Sequence, residues 1–202
     1  MMDTLKRLMN FYNKKGAKSI VCAHNTHIGD ARQTDMAKAK MLNLGQLVRE
    51  HATQKKTTLV GFGTHSGTVI AAREWGGEPM QIMSVPEAIE GTWDKFLHEL
   101  NEGNDCLLLF KVSNDEDNKK CDATWDRMRG QRAIGVVYHP EYEAYRNYVP
   151  SNFAERYDAF LHIDKTQAIH PLHMQELRED PDLPETFPSR DMVSIFFHNL
   201  FN

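Results

Sequence analysis

The stretch IVCAHNTHIGDARQTDMAKAKMLNLGQLVREHATQKKTTLVGFGTHSG, residues 20–67, decides the fold class. It opens on Ile20–Ala23, a short apolar run rich in β-formers. A polar loop runs from His24 to about Gln33, and Asn43 then caps a helix carrying Leu44, Leu47 and Val48. Thr57–Phe62 is a second run of strand length, closed by Gly63-Thr64-His65-Ser66-Gly67. Strand, helix and strand with no hairpin signal between them form a crossover, which sets the two strands parallel.

Outward from this unit, Leu5, Leu8, Met9 and Tyr12 share one face of an N-terminal helix that stops at Gly16. Val69–Trp75 can continue as extended chain until Gly76-Gly77 breaks it. Trp93, Phe96, Leu97 and Leu100 mark a helix after Gly91. Cys106–Val112, Arg132–Tyr138 and Tyr157–Asp164 read as strands, residues 114–122 as a polar loop, and Trp75, Trp93 and Trp125 as packing residues. The expected fold is α/β, a mostly parallel sheet of about five strands with flanking helices. Residues 1–173 form one domain. Residues 174–202 form an acidic, Pro-bearing tail, partly irregular, in which 192–201 packs back as a short element.

Composition narrows the function classes. An apolar content of 41% and a charged content of 26% are ordinary for a soluble domain. No apolar run reaches the ~18 residues of a spanning helix, so no membrane partner is expected. Cys22, Cys106 and Cys121 are odd in number and unpatterned, and the amphipathic N-terminus lacks a signal core. A reducing cytoplasm is the expected location. The net charge of −4 is unevenly spread, with 11 Lys/Arg against 4 Asp/Glu in residues 1–66. With no aromatic-interleaved basic stripe, nucleic acid is not an expected partner.

Three histidines, His24, His65 and His139, each follow an apolar run, and ligands of open α/β sheets bind beyond the carboxyl ends of strands. The loop His24-Asn25-Thr26-His27-Ile28-Gly29-Asp30-Ala31-Arg32 is the densest cluster of chemistry. His24 and His27 can move protons or donate to an oxyanion. Asn25, Asp30, Arg32 and His65 are candidate substrate-binding groups, with Asp30 able to orient an imidazole and Arg32 to bind a carbonyl or carboxylate oxygen. The plainer alternative is a turn with one structural histidine. A metal on His24 and His27 would need Asp30 or His65 to complete it, and there is no HExxH or cysteine pair, so no metal and no cofactor are expected. In Gly63–Gly67 the central residue is His65, one place from Ser66, so the motif is not a serine nucleophile elbow.

AHNTHIGDAR (23–32), NLGQLVRE (43–50), VGFGTHSGTVIAAREWGG (60–77), RAIGVVYHPE (132–141) and YDAFLHID (157–164) together resemble the successive motifs of the erythromycin esterase family, over about residues 1–173. The resemblance implies a metal-independent, histidine-assisted carboxylic ester hydrolase, whose best-known members open macrolide lactones with water and confer antibiotic resistance. The family's HNxH motif matches His24 and His27, which are carried over as catalytic residues. The family's general-base histidine and its glutamates lie in an N-terminal half with no counterpart in this sequence. A truncated, weakly active chain is therefore expected, with a small-molecule ester as substrate and either the missing half or a second copy as partner. A non-catalytic binding remnant and a metal-dependent hydrolase using His24 and His27 are the competing readings.

Overall fold

Val60–Ala71 forms the long strand (β1) on which the rest of the fold is arranged. The computed structural model describes residues 1–12, 18–52, 56–76, 79–110, 124–125 and 127–169. The polar stretch 114–122, the tail 174–202 and the element expected at 192–201 lie outside the described residues. β1 pairs in parallel with Ala159–Thr166 (β6), from Val60↔Ala159 to Gly67↔Thr166. It pairs antiparallel with Gln81–Val85 (β2), from Gly67↔Val85 to Ala71↔Gln81. Cys106–Leu109 (β3) lies antiparallel on the far edge of β6, giving the order β2-β1-β6-β3. Met128–Arg132 (β4) and Tyr148–Asn152 (β5) form a separate antiparallel pair.

The α/β class is as expected, but the sheet is mixed rather than mostly parallel. It has four strands, of which only β1 and β6 run parallel. The cause is the link from β1 to β2, residues 72–80, which is shorter than the dozen or so residues a crossover needs. Three strand assignments shift with it. Ile20–Ala23 is not a strand, and Ile20 is 90% exposed, because β-propensity without a paired neighbour does not make one. Gly63–Gly67 is not a loop but the middle of β1, held by β6. Arg132–Tyr138 joins β4 only at Arg132, and its far end makes a single parallel bridge, Ala72↔Val137.

Gly67 is where β1 passes from the β6 ladder to the β2 ladder. Its φ is +131°, and a Cβ there would stand 2.0 Å from the Thr166 carbonyl oxygen, so only glycine fits. Six α-helices are described beside the strands. Met2–Tyr12 (α1) has no buried residue. Asn25–Ile28 (α2), Glu143–Arg146 (α5) and Phe153–Arg156 (α6) are single turns. Leu44–His51 (α3) starts at Asn43 as read from the sequence, the Asn43 side chain accepting from Gln46 N at 2.9 Å. Such a cap contributes about 1 kcal/mol. The Asn43 amide also donates to the Thr26 and Gly29 carbonyls at 2.8 and 2.6 Å, tying α3 to the α2 turn.

Trp93–Leu100 (α4) covers one face of the sheet. Its Trp93 and Leu97 meet Leu59, Phe153, Tyr157 and Phe160 in the main core, with Trp125 stacked on Trp93. Trp75, also expected to pack, is exposed. A smaller core joins Ala71, Met83, Val85 and Tyr138. The other face of the sheet carries exposed apolar side chains. The register sets Phe62, Leu161 and Leu107 side by side across three strands, and Phe62 and Leu107 are more than half exposed. Among the described residues no helix is long and apolar enough to cross a membrane.

Candidate active site

The α2 turn is pinned to β1 by one side chain. Asn25 Nδ2 donates to the Phe62 carbonyl at 2.5 Å, and Phe62 N donates back to Asn25 Oδ1 at 3.1 Å. β2 reaches only Gly67–Ala71, so the Asn25 amide occupies a stretch of β1 edge that no described strand covers. His24 precedes this turn and caps it, accepting from Thr26 N.

The His24 ring has a defined protonation pattern. Its Nε2 lies 2.9 Å from the Ile134 carbonyl oxygen, which can only accept, so Nε2 carries the proton. The lone pair is therefore on Nδ1, where the Thr26 hydroxyl sits at 2.8 Å. Burial lowers the His24 pKa below the usual imidazole value. The Ile134 carbonyl opposes this, while His27 and Arg156 add to it. A neutral imidazole held this way can take a proton at Nδ1, directly or through the Thr26 hydroxyl. The exposed His27 ring is 6.4 Å away, edge-on to that of His24.

The remaining residues singled out in the sequence take other partners. Asp30 is buried, with both carboxylate oxygens occupied. Arg32 binds it through Nε at 3.0 Å and Nη2 at 2.7 Å, and Arg49 Nη1 lies at 3.4 Å. Burial alone would raise the Asp30 pKa, but the hydrogen bonds from Arg32 outweigh it and the carboxyl is lowered. The Arg32 guanidinium is thus already paired, beside an open polar recess of about 170 Å³ lined also by Gln33, Arg49 and Glu155. His65 points to the core side of β1 and stacks on His98 of α4 at 3.7 Å between ring centres. His98 Nδ1 in turn lies 2.7 Å from Asp164 Oδ1, and His162 Nε2 lies 3.5 Å from the same oxygen. His24 and His65 therefore bond to different groups. His139 faces Glu141 at 3.6 Å. Among the described residues no three His, Cys, Asp or Glu side chains converge as a metal site.

Sequence reasoning overlooked Arg132, Asp94 and His98. Arg132 holds β1 from below, donating to the Thr64 and His65 carbonyls at 3.0 and 2.5 Å and to Pro86 O at 2.8 Å. Asp94 is fully buried and accepts from Arg132 N at 2.8 Å.

A sequence profile of the erythromycin esterase family matches residues 1–166. The chain belongs to the erythromycin esterase family. Solved structures share the fold at low identity. A succinoglycan biosynthesis protein is 20% identical with a TM-score of 0.57, the match covering 77% of this chain and 35% of that one. A Bacillus cereus protein is 12% identical with a TM-score of 0.54, covering 71% and 32%. A mutant of the erythromycin esterase EreC in its open conformation is 16% identical with a TM-score of 0.53, covering 81% and 35%. The chain thus spans about a third of the length of the solved relatives it matches.

Asp94 gives this family member a measurable pH signature. Burial raises its carboxyl pKa to about 6, whereas the unfolded chain titrates near ~3.9. Between those values the folded state binds more protons, so the contribution is full below about pH 4 and is lost as pH rises through 6. The two-unit gap corresponds to about 3 kcal/mol. In urea unfolding from pH 4 to 8, Asp94→Asn should flatten this fall. An unchanged slope would show that Asp94 ionises normally.

Proposed function

We propose that this chain is the His24-bearing part of a metal-independent carboxylic ester hydrolase of the erythromycin esterase type. The observation that carries the reading is the α2 turn. There a neutral imidazole with its acceptor nitrogen at the Thr26 hydroxyl is pinned to a core strand through Asn25. His24 acts at the ester carbonyl or its attacking water, and His27, exposed beside it, is the second proton carrier. Asn25 positions these two. Asp30, Arg32 and His65 shape the surroundings through their own pairings rather than by reaching the ester.

The general base that complements His24 is supplied by the rest of the family domain. Two facts support this: the chain covers 35% of EreC, and on one sheet face Phe62 and Leu107 are apolar and exposed. We place the complementary part of the domain on that face.

The experiment is co-expression of this chain with the portion of EreC that has no counterpart in it, assayed on a macrolide lactone and on p-nitrophenyl acetate. Hydrolysis by the pair, negligible hydrolysis by the chain alone, and loss of pairing in Leu107→Glu are the expected results. Robust His24-dependent turnover by the chain alone would overturn the shared site. Stable pairing without turnover would favour a non-catalytic binding role.

A further inference from the structure

Arg156 is almost wholly buried directly behind the α2 turn, and its partners are unusual for a buried cation. Its Nη1 donates to Gln131 Oε1 at 2.9 Å and to Ser151 Oγ. Its Nη2 donates to the Asn25 carbonyl at 3.2 Å, and its buried Nε has no hydrogen-bond partner. Every one of these acceptors is neutral. Tyr157, whose ring centre lies 5.3 Å from the guanidinium, acts on it together with the more distant Asp35 and Asp30, and Asp30 is already engaged by Arg32 and Arg49. Burying a charge without a paired counter-ion is strongly unfavourable.

The main chain completes the grip. Asp30 N donates to the Arg156 carbonyl at 3.2 Å, so one residue holds the turn at both ends, Asn25 by its guanidinium and Asp30 by its backbone. Between these anchors the chain lies flat on Arg156. A Cβ on Gly29 would stand 2.6 Å from Arg156 Nε and 2.9 Å from the Tyr157 ring. Tyr157 shares the Gln131 acceptor, donating to Oε1 at 3.0 Å, so the clamp is itself braced from beneath.

We propose that Arg156 is a positioning residue of the active site, clamping the Asn25–Asp30 segment that follows His24 at both ends and setting beneath it a positive charge with no directly paired carboxylate. The proposal rests on reading that turn as the active site, although the clamp itself needs no substrate. It does two things. It fixes the turn from which the His24 imidazole projects, and its charge disfavours a proton on that ring. The charged and polar groups facing the ring are the Thr26 hydroxyl and N–H and His27 on the same turn, Arg156 on α6 and the Ile134 carbonyl after β4. A ring kept neutral is ready to accept a proton, as ester hydrolysis by water requires.

Two variants separate the clamp from the charge, each read on the full chain by imidazole NMR titration of His24 and by amide exchange at Gly29 and Asp30. Arg156→Met removes the charge and the side-chain hold on the Asn25 carbonyl, while its backbone carbonyl still accepts from Asp30 N, so it should raise the His24 midpoint and speed exchange at Gly29 roughly tenfold, with Asp30 as the reference. Arg156→Lys keeps the charge but loses the planar fork, so exchange should quicken while the midpoint stays low. If Arg156→Met does not fold, the lysine variant decides alone by that same pair of readings. A folded variant with unchanged midpoint and unchanged exchange overturns the proposal, even if its Tm falls, because Arg156 would then be a plain structural residue. Both readings moving while no esterase activity is found with the complementary part present would sink the hydrolase reading and leave the clamp standing.

Discussion

Glu143→Ala should lower the unfolding free energy by about 3–5 kcal/mol, the usual cost of stranding a buried charge. Arg132 and Glu143 are both nearly inaccessible and meet at 2.5 Å. Burial raises the Glu143 carboxyl pKa, against the pull of the Arg132 charge. The guanidinium cannot leave when Glu143 is removed, because its other nitrogens hold the Thr64, His65 and Pro86 carbonyls. The stranded charge would sit under the middle of β1, so the His65–His98 stack should loosen as well. Urea unfolding gives the first number, and the histidine ring proton shifts report the second. A loss below about 1 kcal/mol would mean that water or Asp94 replaces Glu143 with little penalty.

His24→Ala should lower kcat by about 10²- to 10⁴-fold in the reconstituted hydrolase, the range for removal of a group that moves a proton in the transition state. Two details make the expectation specific. The His24 pKa is depressed chiefly by burial, so the acidic limb of the pH–rate profile should lie below the ordinary imidazole value near ~6.5. The lone pair is on Nδ1 beside the Thr26 hydroxyl, so Thr26→Val should reduce kcat while leaving KM nearly unchanged. A profile unchanged by His24→Ala would remove His24 from the chemistry and leave it as the cap of α2.

What the sequence made legible is whatever depends on near neighbours. Trp93 and Leu97 recur at helical spacing and are buried together on α4, and Asn43 caps α3 as its residue type suggests. Phe160 and His162, two apart in the strand read at Tyr157–Asp164, fall on one face as strand periodicity requires, and both are fully buried. What stayed hidden depends on partners distant in the chain. Strand direction follows from the short link between β1 and β2, and Ile20–Ala23 has strand composition without a strand to pair with. Asp30 and Arg32 read as groups offered to a ligand, whereas each is the other's partner. Arg156 follows Ala154-Glu155, an ordinary surface context, and only the fold shows it buried beneath Gly29.

The pairing of Asn25 with Phe62 has a further consequence for solubility. An uncovered strand edge is a template on which other chains can add, and proteins block such edges by charge, proline, bulges or cover. Here the block is a single carboxamide that occupies both the N–H and the C=O of Phe62, mimicking one residue of a neighbouring strand. Aspartate at this position would keep the acceptor and lose the donor, leaving the Phe62 carbonyl free beside an exposed phenyl ring. The residue that holds the α2 turn to β1 is thus also the one that keeps this edge from recruiting a foreign strand, so drift away from asparagine would be penalised by aggregation whether or not the turn takes part in chemistry.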